Sequence, residues 1–261
     1  MKLTILLAGQ NPPALQDDFA PYGEKFRRMF SRADDSFTFD EVEVHAGQGI
    51  PDPGQLEGVI VSGSAAGVYD DLEWMQPLRD FIRRAHGSNL PMLGICFGHQ
   101  VIADALGGKV IMSPKGWGLG RHVYRASDIP SFFPPGTREL AMAASHKDQV
   151  VVPPPGARVF LSSSFTPNAG LIYDNGTTIS LQPHPEFDVE YAAAIFGLRR
   201  SNPLEPEEVE AAIGTLQAPL DNDLVARSLA GFFREAAGRS RAGISIVDKN
   251  PGFGKKNILN C

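Results

Sequence analysis

The sequence predicts an α/β fold: an open, mostly parallel sheet flanked by helices, with an antiparallel extension and a C-terminal helical segment. Three observations predict it. The first half alternates short apolar runs with helical spacing in the order β-α-β-β-α-β-α, which suits parallel strands joined by crossovers. The second half carries short strand-like runs between Pro and Gly clusters, with a hairpin signal at Asn175-Gly176. Between the halves, Pro91-Met-Leu-Gly-Ile-Cys96-Phe-Gly-His-Gln100 reads as a buried strand, a sharp turn and the start of a helix.

Taken in order, Lys2–Ala8 is strand one. Its apolar start resembles a signal peptide, but it is short and runs into Gly-Gln-Asn-Pro-Pro without a small-residue cleavage site. Gly9–Tyr22 is a Pro- and Asp-containing loop at the end of that strand, where α/β sheets bind ligands. Gly23–Arg32 has helical apolar spacing at Phe26, Met29 and Phe30, and Phe37–Val44 alternates as a strand. Gly58–Ser62 is a buried strand opening into the small-residue loop Ser62–Gly67. Asp71–Ala85 is helical, with Trp74, Leu78, Phe81 and Ile82 on one side. A helix over Gln100–Leu106 ends at Gly107-Gly108. Lys109–Met112, Gly120–Tyr124, Arg158–Ser162, Gly170–Tyr173 and Thr177–Leu181 are strands expected to fold back on the same sheet. Asp188 caps a helix through Arg199, and Ser201–Pro206 breaks it. Glu207–Leu216 and Asp223–Ala237 are further helices. Arg239–Cys261 is aperiodic and is expected to be a loosely packed tail. The expected organisation is a domain over 1–194, with a helical extension and tail over 195–261 packed on it.

Composition narrows the function. The chain has 261 residues, 43% hydrophobic and 21% charged, enough for a real core. A net charge of −6 without a basic stripe argues against nucleic acid. No apolar run approaches membrane-spanning length. Two cysteines, Cys96 and Cys261, make no disulfide framework, so a cytoplasmic location is expected. No metal-ligand spacing and no cofactor motif is found; Gly252–Lys256 lacks the spacing of a phosphate-binding loop.

The chemistry centres on Cys96. Strand, turn and helix with glycine two residues to either side form a nucleophile elbow, with sulfur in place of oxygen. Side chains at Gly94 and Gly98 would clash there, and the following helix start favours thiolate. By itself, G-x-C-x-G reads first as a small buried hydrophobe, as most free cysteines are, and the downstream motifs reverse that order. Downstream, His184 and Glu186 follow a predicted strand. A thiol needs a base that later acts as an acid, and imidazole does both near neutral pH. The imidazole needs a carboxylate to hold its tautomer. Cys96, His184 and Glu186 would then be a triad, although His-Pro-Glu alone reads equally as a turn with a solvated histidine. Ser145-His-Lys-Asp-Gln-Val150 reads either as a polar loop before a strand or as the lining of a polar substrate pocket.

Together, Gly94–Gln100, Ser145–Val150 and Gln182-Pro-His184-Pro-Glu186 resemble the class I glutamine amidotransferase family, nearest to stand-alone GMP-synthase-like amidotransferase domains. The likeness runs roughly over residues 2–194. It implies a flavodoxin-like sheet and a γ-glutamyl thioester on Cys96, with His184 moving protons and Glu186 orienting it. It further implies an oxyanion held by the backbone of Gly63 and Phe97, and substrate held by Gln100 and the Ser145-His146 backbone. Two positions depart from the family pattern: Ser64 stands where a second glycine is usual, and Pro183 where an aromatic residue is usual. No ammonia-using domain is expected after the triad, so a complete GMP synthase is not expected.

Three functions fit these motifs. One is a hydrolase of small γ-glutamyl compounds. Another is a glutaminase subunit passing ammonia to a separate synthetase, which would need an apolar face such as Ile195–Leu198 or Phe232-Phe233. The third is a non-catalytic binding protein on the same fold.

Overall fold

The computed structural model describes residues 1–242. Nine strands form one sheet in the order β2-β1-β3-β4-β11-β10-β9-β6-β7. Its parallel part is β2 (Thr38–Val42), β1 (Lys2–Leu6), β3 (Val59–Val61), β4 (Met92–Ile95) and β11 (Thr178–Leu181). From there β10 (Gly170–Tyr173), β9 (Ala157–Ser162), β6 (Gly118–Ala126) and β7 (Glu139–His146) continue antiparallel. β5 (Lys109–Met112) and β8 (Asp148–Val152) form a separate antiparallel pair.

Helices cover both faces. α2 (Met75–Gly87) and α3 (Phe97–Ala105) bury Leu78, Phe81, Val101 and Ile102 against one face. α1 (Tyr22–Ala33), α4 (Val189–Gly197), α5 (Pro206–Thr215) and α6 (Asn222–Ala242) lie with the core of the other. The central parallel strands β3, β4 and β11 are fully buried runs such as VIV and MLGI, as a sheet covered on both faces requires.

The expected order of the first half is observed, and Asn175-Gly176 makes the β10–β11 hairpin with Gly176 at φ 66°. Asp188 caps α4 by accepting from the Tyr191 N–H at 2.7 Å. Four expectations are corrected. β5 leaves the main sheet because its partner is β8, so the second half does not all fold back on one sheet. Ser145–Val150 is not a loop: β7 runs to His146 and β8 starts at Asp148, leaving Lys147 as the corner. The strand over 139–146 has no alternation, because Leu140, Ala141, Met142, Ala143 and Ala144 are all buried. Finally, α2 starts at Met75, four residues later than its spacing suggested, and α6 continues to Ala242. The expected tail, including Cys261, lies outside the described residues from 243 onward. Among the described residues no helix is long and apolar enough to cross a membrane.

Candidate active site

The site sits at the carboxyl ends of β3, β4 and β11, the end at which α/β sheets bind ligands. β4 delivers Cys96 and α3 begins at the next residue. Cys96 adopts φ 54° and ψ −104°, a strained conformation for a residue with a side chain. The neighbours explain why the turn needs its glycines. A Cβ on Gly94 would fall 2.6 Å from the Gly98 carbonyl and from Ile102 Cδ1, and one on Gly98 would strike the Val61 carbonyl. Strand and helix close to this distance only without those side chains, and the apex is thereby forced outward.

β11 ends at Leu181, and the chain then crosses to β7: the His184 N–H donates to the Ala143 carbonyl at 2.9 Å. That bond aims the imidazole back at the elbow. His184 Nδ1 lies 2.7 Å from Glu186 Oε1, with both side chains buried. The ring stacks on Phe187, with centroids 4.0 Å apart and planes 10° apart. His184 and Cys96 line one cavity. Burial alone would push the His184 pKa down. The negative charges of Glu186 and Cys96 outweigh that and raise it to about 10. The arrangement therefore favours imidazolium beside Glu186, with Cys96 at the positive end of α3.

Residues that the motifs did not single out complete the surroundings. The Tyr22 hydroxyl donates to Glu186 Oε1 at 3.3 Å. Gln182 Nε2 approaches the Cys96 sulfur at 3.6 Å. Behind them Lys25 is buried, its ammonium 3.0 Å from Asn11 Oδ1 and 3.8 Å from the Tyr191 ring centroid. Burial lowers its pKa to about 8, against the opposing charges of Glu186 and Asp188. Nothing in the spacing of Tyr22 or Lys25 betrays this, since both belong to an ordinary amphipathic helix. Gln182 is part of the Gln-Pro-His-Pro-Glu run, so its signal was present.

The remaining motif residues gather around the sulfur. The Ser145 carbonyl is 4.0 Å from Cys96 Sγ. Gln100 donates to the Asp148 carbonyl at 2.9 Å and to Gln182 Oε1 at 3.2 Å. His146 is 3% exposed and packs its Nδ1 against the Asp148 carbonyl at 3.1 Å. Burial, then the nearby His122, lowers its pKa to about 3, so it stays neutral. The Phe97 N–H is the first of α3 and has no acceptor within the helix. Among the described residues no backbone carbonyl accepts from the Gly63 N–H. The Gly63 carbonyl is turned the other way, accepting from the Ser62 hydroxyl at 3.0 Å.

Two cavities meet at the cysteine. The smaller, about 80 Å³, is lined by Tyr22, Cys96, His184, Phe187, Tyr191 and Arg199 among others. The larger, about 390 Å³, is lined by Tyr69, Asp70, Gln100, Trp117, Lys147 and Asp148 among others. Cys96, Ser145 and Arg199 touch both. One expectation fails here. Phe232 and Phe233 are fully buried against Phe30, Phe37 and Phe132, so they offer no docking face.

Residues 36–194 match the family described as glutamine amidotransferase class-I. Gamma-glutamyl peptidase 3 of Arabidopsis thaliana is 30% identical over 200 residues, covering 72% of this chain and 78% of that protein. A glutamine-hydrolyzing GMP synthase subunit of Saccharolobus solfataricus is 34% identical, covering 51% of this chain and 68% of its own. Some other relatives are matched over only about half, 55%, of their own length. A glutamine amidotransferase crystal structure from Methylobacillus flagellatus superposes with a TM-score of 0.66 at 21% identity, covering 97% of this chain and 98% of its own. With half of the chain and more matched by the family and the sheet shared, this chain belongs to the class-I glutamine amidotransferase family.

Proposed function

We propose that the protein is a cysteine hydrolase of γ-glutamyl amides, with Cys96, His184 and Glu186 as its catalytic residues. The observation that supports this reading best is the buried His184 ring, bonded to Glu186 at 2.7 Å in the cavity that Cys96 also lines. Cys96 thiolate attacks the γ-carbonyl carbon. The oxyanion that forms is held by the Gly63 and Phe97 N–H groups, each worth about 2.7–4 kcal/mol of barrier. His184 gives its proton to the departing nitrogen as the C–N bond breaks, leaving a γ-glutamyl thioester. Water then donates a proton to His184 and attacks the thioester, and glutamate leaves as the C–S bond breaks. Gln100, Ser145 and His146 border the cavity that receives the glutamyl group. In this reading residues 1–194 carry the chemistry and the later helices support it.

The purified protein should release glutamate from a panel of γ-glutamyl amides and peptides, and Cys96→Ala should release none. Release unchanged in Cys96→Ala would overturn the reading. The second reading, a glutaminase subunit serving a separate synthetase, is favoured by the likeness to the glutamine-hydrolyzing GMP synthase subunit. It predicts that glutamate release stays weak until a synthetase is added.

A further inference from the structure

One side chain at the cysteine has no part in the steps above. Tyr191, Ile195 and Arg199 stand at i, i+4 and i+8 along α4 and the turn that ends it, and all three line the smaller cavity. The Arg199 guanidinium lies over the Trp117 ring, 4.1 Å from its centroid. Arg199 Nε and Trp117 Nε1 are both buried, and among the described residues neither has a hydrogen-bond partner. Two adjacent buried donors without acceptors are costly, and an incoming acceptor relieves them. Both groups can only donate, and the planar fork of arginine matches a carboxylate.

Arg199 borders both cavities and Trp117 the larger, so the place of the leaving group decides which carboxylate Arg199 meets. His184 lines the smaller cavity and not the larger. The departing nitrogen must lie beside the group that protonates it, so the leaving group occupies the smaller cavity. Besides His184, Arg199 is the one cationic side chain on that wall among the described residues. The larger cavity, which Arg199 also borders, has a second cation in Lys147, beside Asp70 and Asp148.

We infer that Arg199 is a specificity-determining residue that binds a carboxylate on the leaving group. The preferred substrates are then γ-glutamyl amino acids, and glutamine, whose leaving group is ammonia, is a poor one. γ-Glutamylglycine carries the smallest such leaving group. With γ-glutamylglycine, water is consumed and glutamate and glycine are formed. The inference rests on the thioester reading above.

The test compares kcat/KM of the full chain for γ-glutamylglycine and γ-glutamylmethylamide, which differ only in the leaving-group carboxylate. Wild type should favour the former by about 10- to 100-fold, the range for a hydrogen-bonded charge. The ratio should collapse toward one in Arg199→Gln and be partly restored in Arg199→Lys, with labelling of Cys96 by a glutamine-derived chloroketone reporting that the variants are folded. Equal wild-type rates on the two substrates would overturn the inference and leave the thioester reading standing. A ratio unchanged in Arg199→Gln would also overturn it. So would a loss in Arg199→Gln that vanishes on 4-aminobutyrylglycine, because Arg199 would then serve the acyl carboxylate. Absence of both turnover and Cys96 acylation in wild type would instead sink the thioester reading, and this inference with it.

Discussion

At the scale of single residues, the charge state of His184 governs the pH behaviour. Burial favours the neutral ring, while Glu186 and Cys96 favour the cation and win, raising its pKa to about 10. A raised folded-state value means that the stabilisation is complete below the ordinary histidine range and is lost as pH rises through about 10. Activity should therefore persist into mildly alkaline solution and fall as His184 loses its proton. Glu186→Gln removes the carboxylate, so the alkaline limb should move down toward the ordinary histidine range and kcat should fall about 10²- to 10⁴-fold. A pH–rate profile checks this, and a limb that stays in place would contradict it. Tyr22→Phe removes a single 3.3 Å bond to the same carboxylate and should cost no more than about tenfold in kcat. A loss as large as that of Glu186→Gln would show that Tyr22 does more than position Glu186.

At the scale of elements, the elbow is a packing problem solved by glycine. Gly98→Ala would push a methyl group into the Val61 carbonyl, which has no flexible end to yield. It should destabilise by about 1–3 kcal/mol or more, read from the urea midpoint. Gly214→Ala on α5 meets nothing within 4 Å and should be neutral or stabilising by up to about 1 kcal/mol. Equal effects of the two substitutions would contradict the steric account. The elbow was legible in the sequence because clash geometry leaves a local mark: glycine at two fixed offsets from a cysteine. The β10–β11 hairpin left the same kind of mark at Asn175-Gly176. β7 left none, since Ala141, Ala143 and Ala144 are small and buried without the alternation that announces a strand. The β5–β8 pairing is a long-range choice between sheets, invisible to local pattern. Arg199 was hidden for a similar reason: it looks like the end of a helix until the fold brings it over Trp117.

At the scale of the whole molecule, the helices after residue 194 are part of the core under the sheet. Phe233 packs on Phe30 and Phe37 with centroids 5.7 and 6.4 Å away, joining α6 to α1, which in turn carries Tyr22 to the site. Phe233→Ala should cost about 3–5 kcal/mol and lower the thermal midpoint, with Cys96 labelling preserved well below it. An unchanged midpoint would mean that α6 is not integral to the core. The larger task of the fold is to bring a sulfur at the end of β4 and an imidazole that arrives after β11 to one cavity, the two strands being parallel neighbours in the sheet. The most direct measurement is the intact mass of the protein after brief exposure to a glutamine-derived diazoketone, followed by peptide mapping. One adduct on Cys96, absent in Cys96→Ala and strongly slowed in His184→Ala, is the predicted result. An adduct elsewhere, or labelling of Cys96 indifferent to His184, would contradict the account.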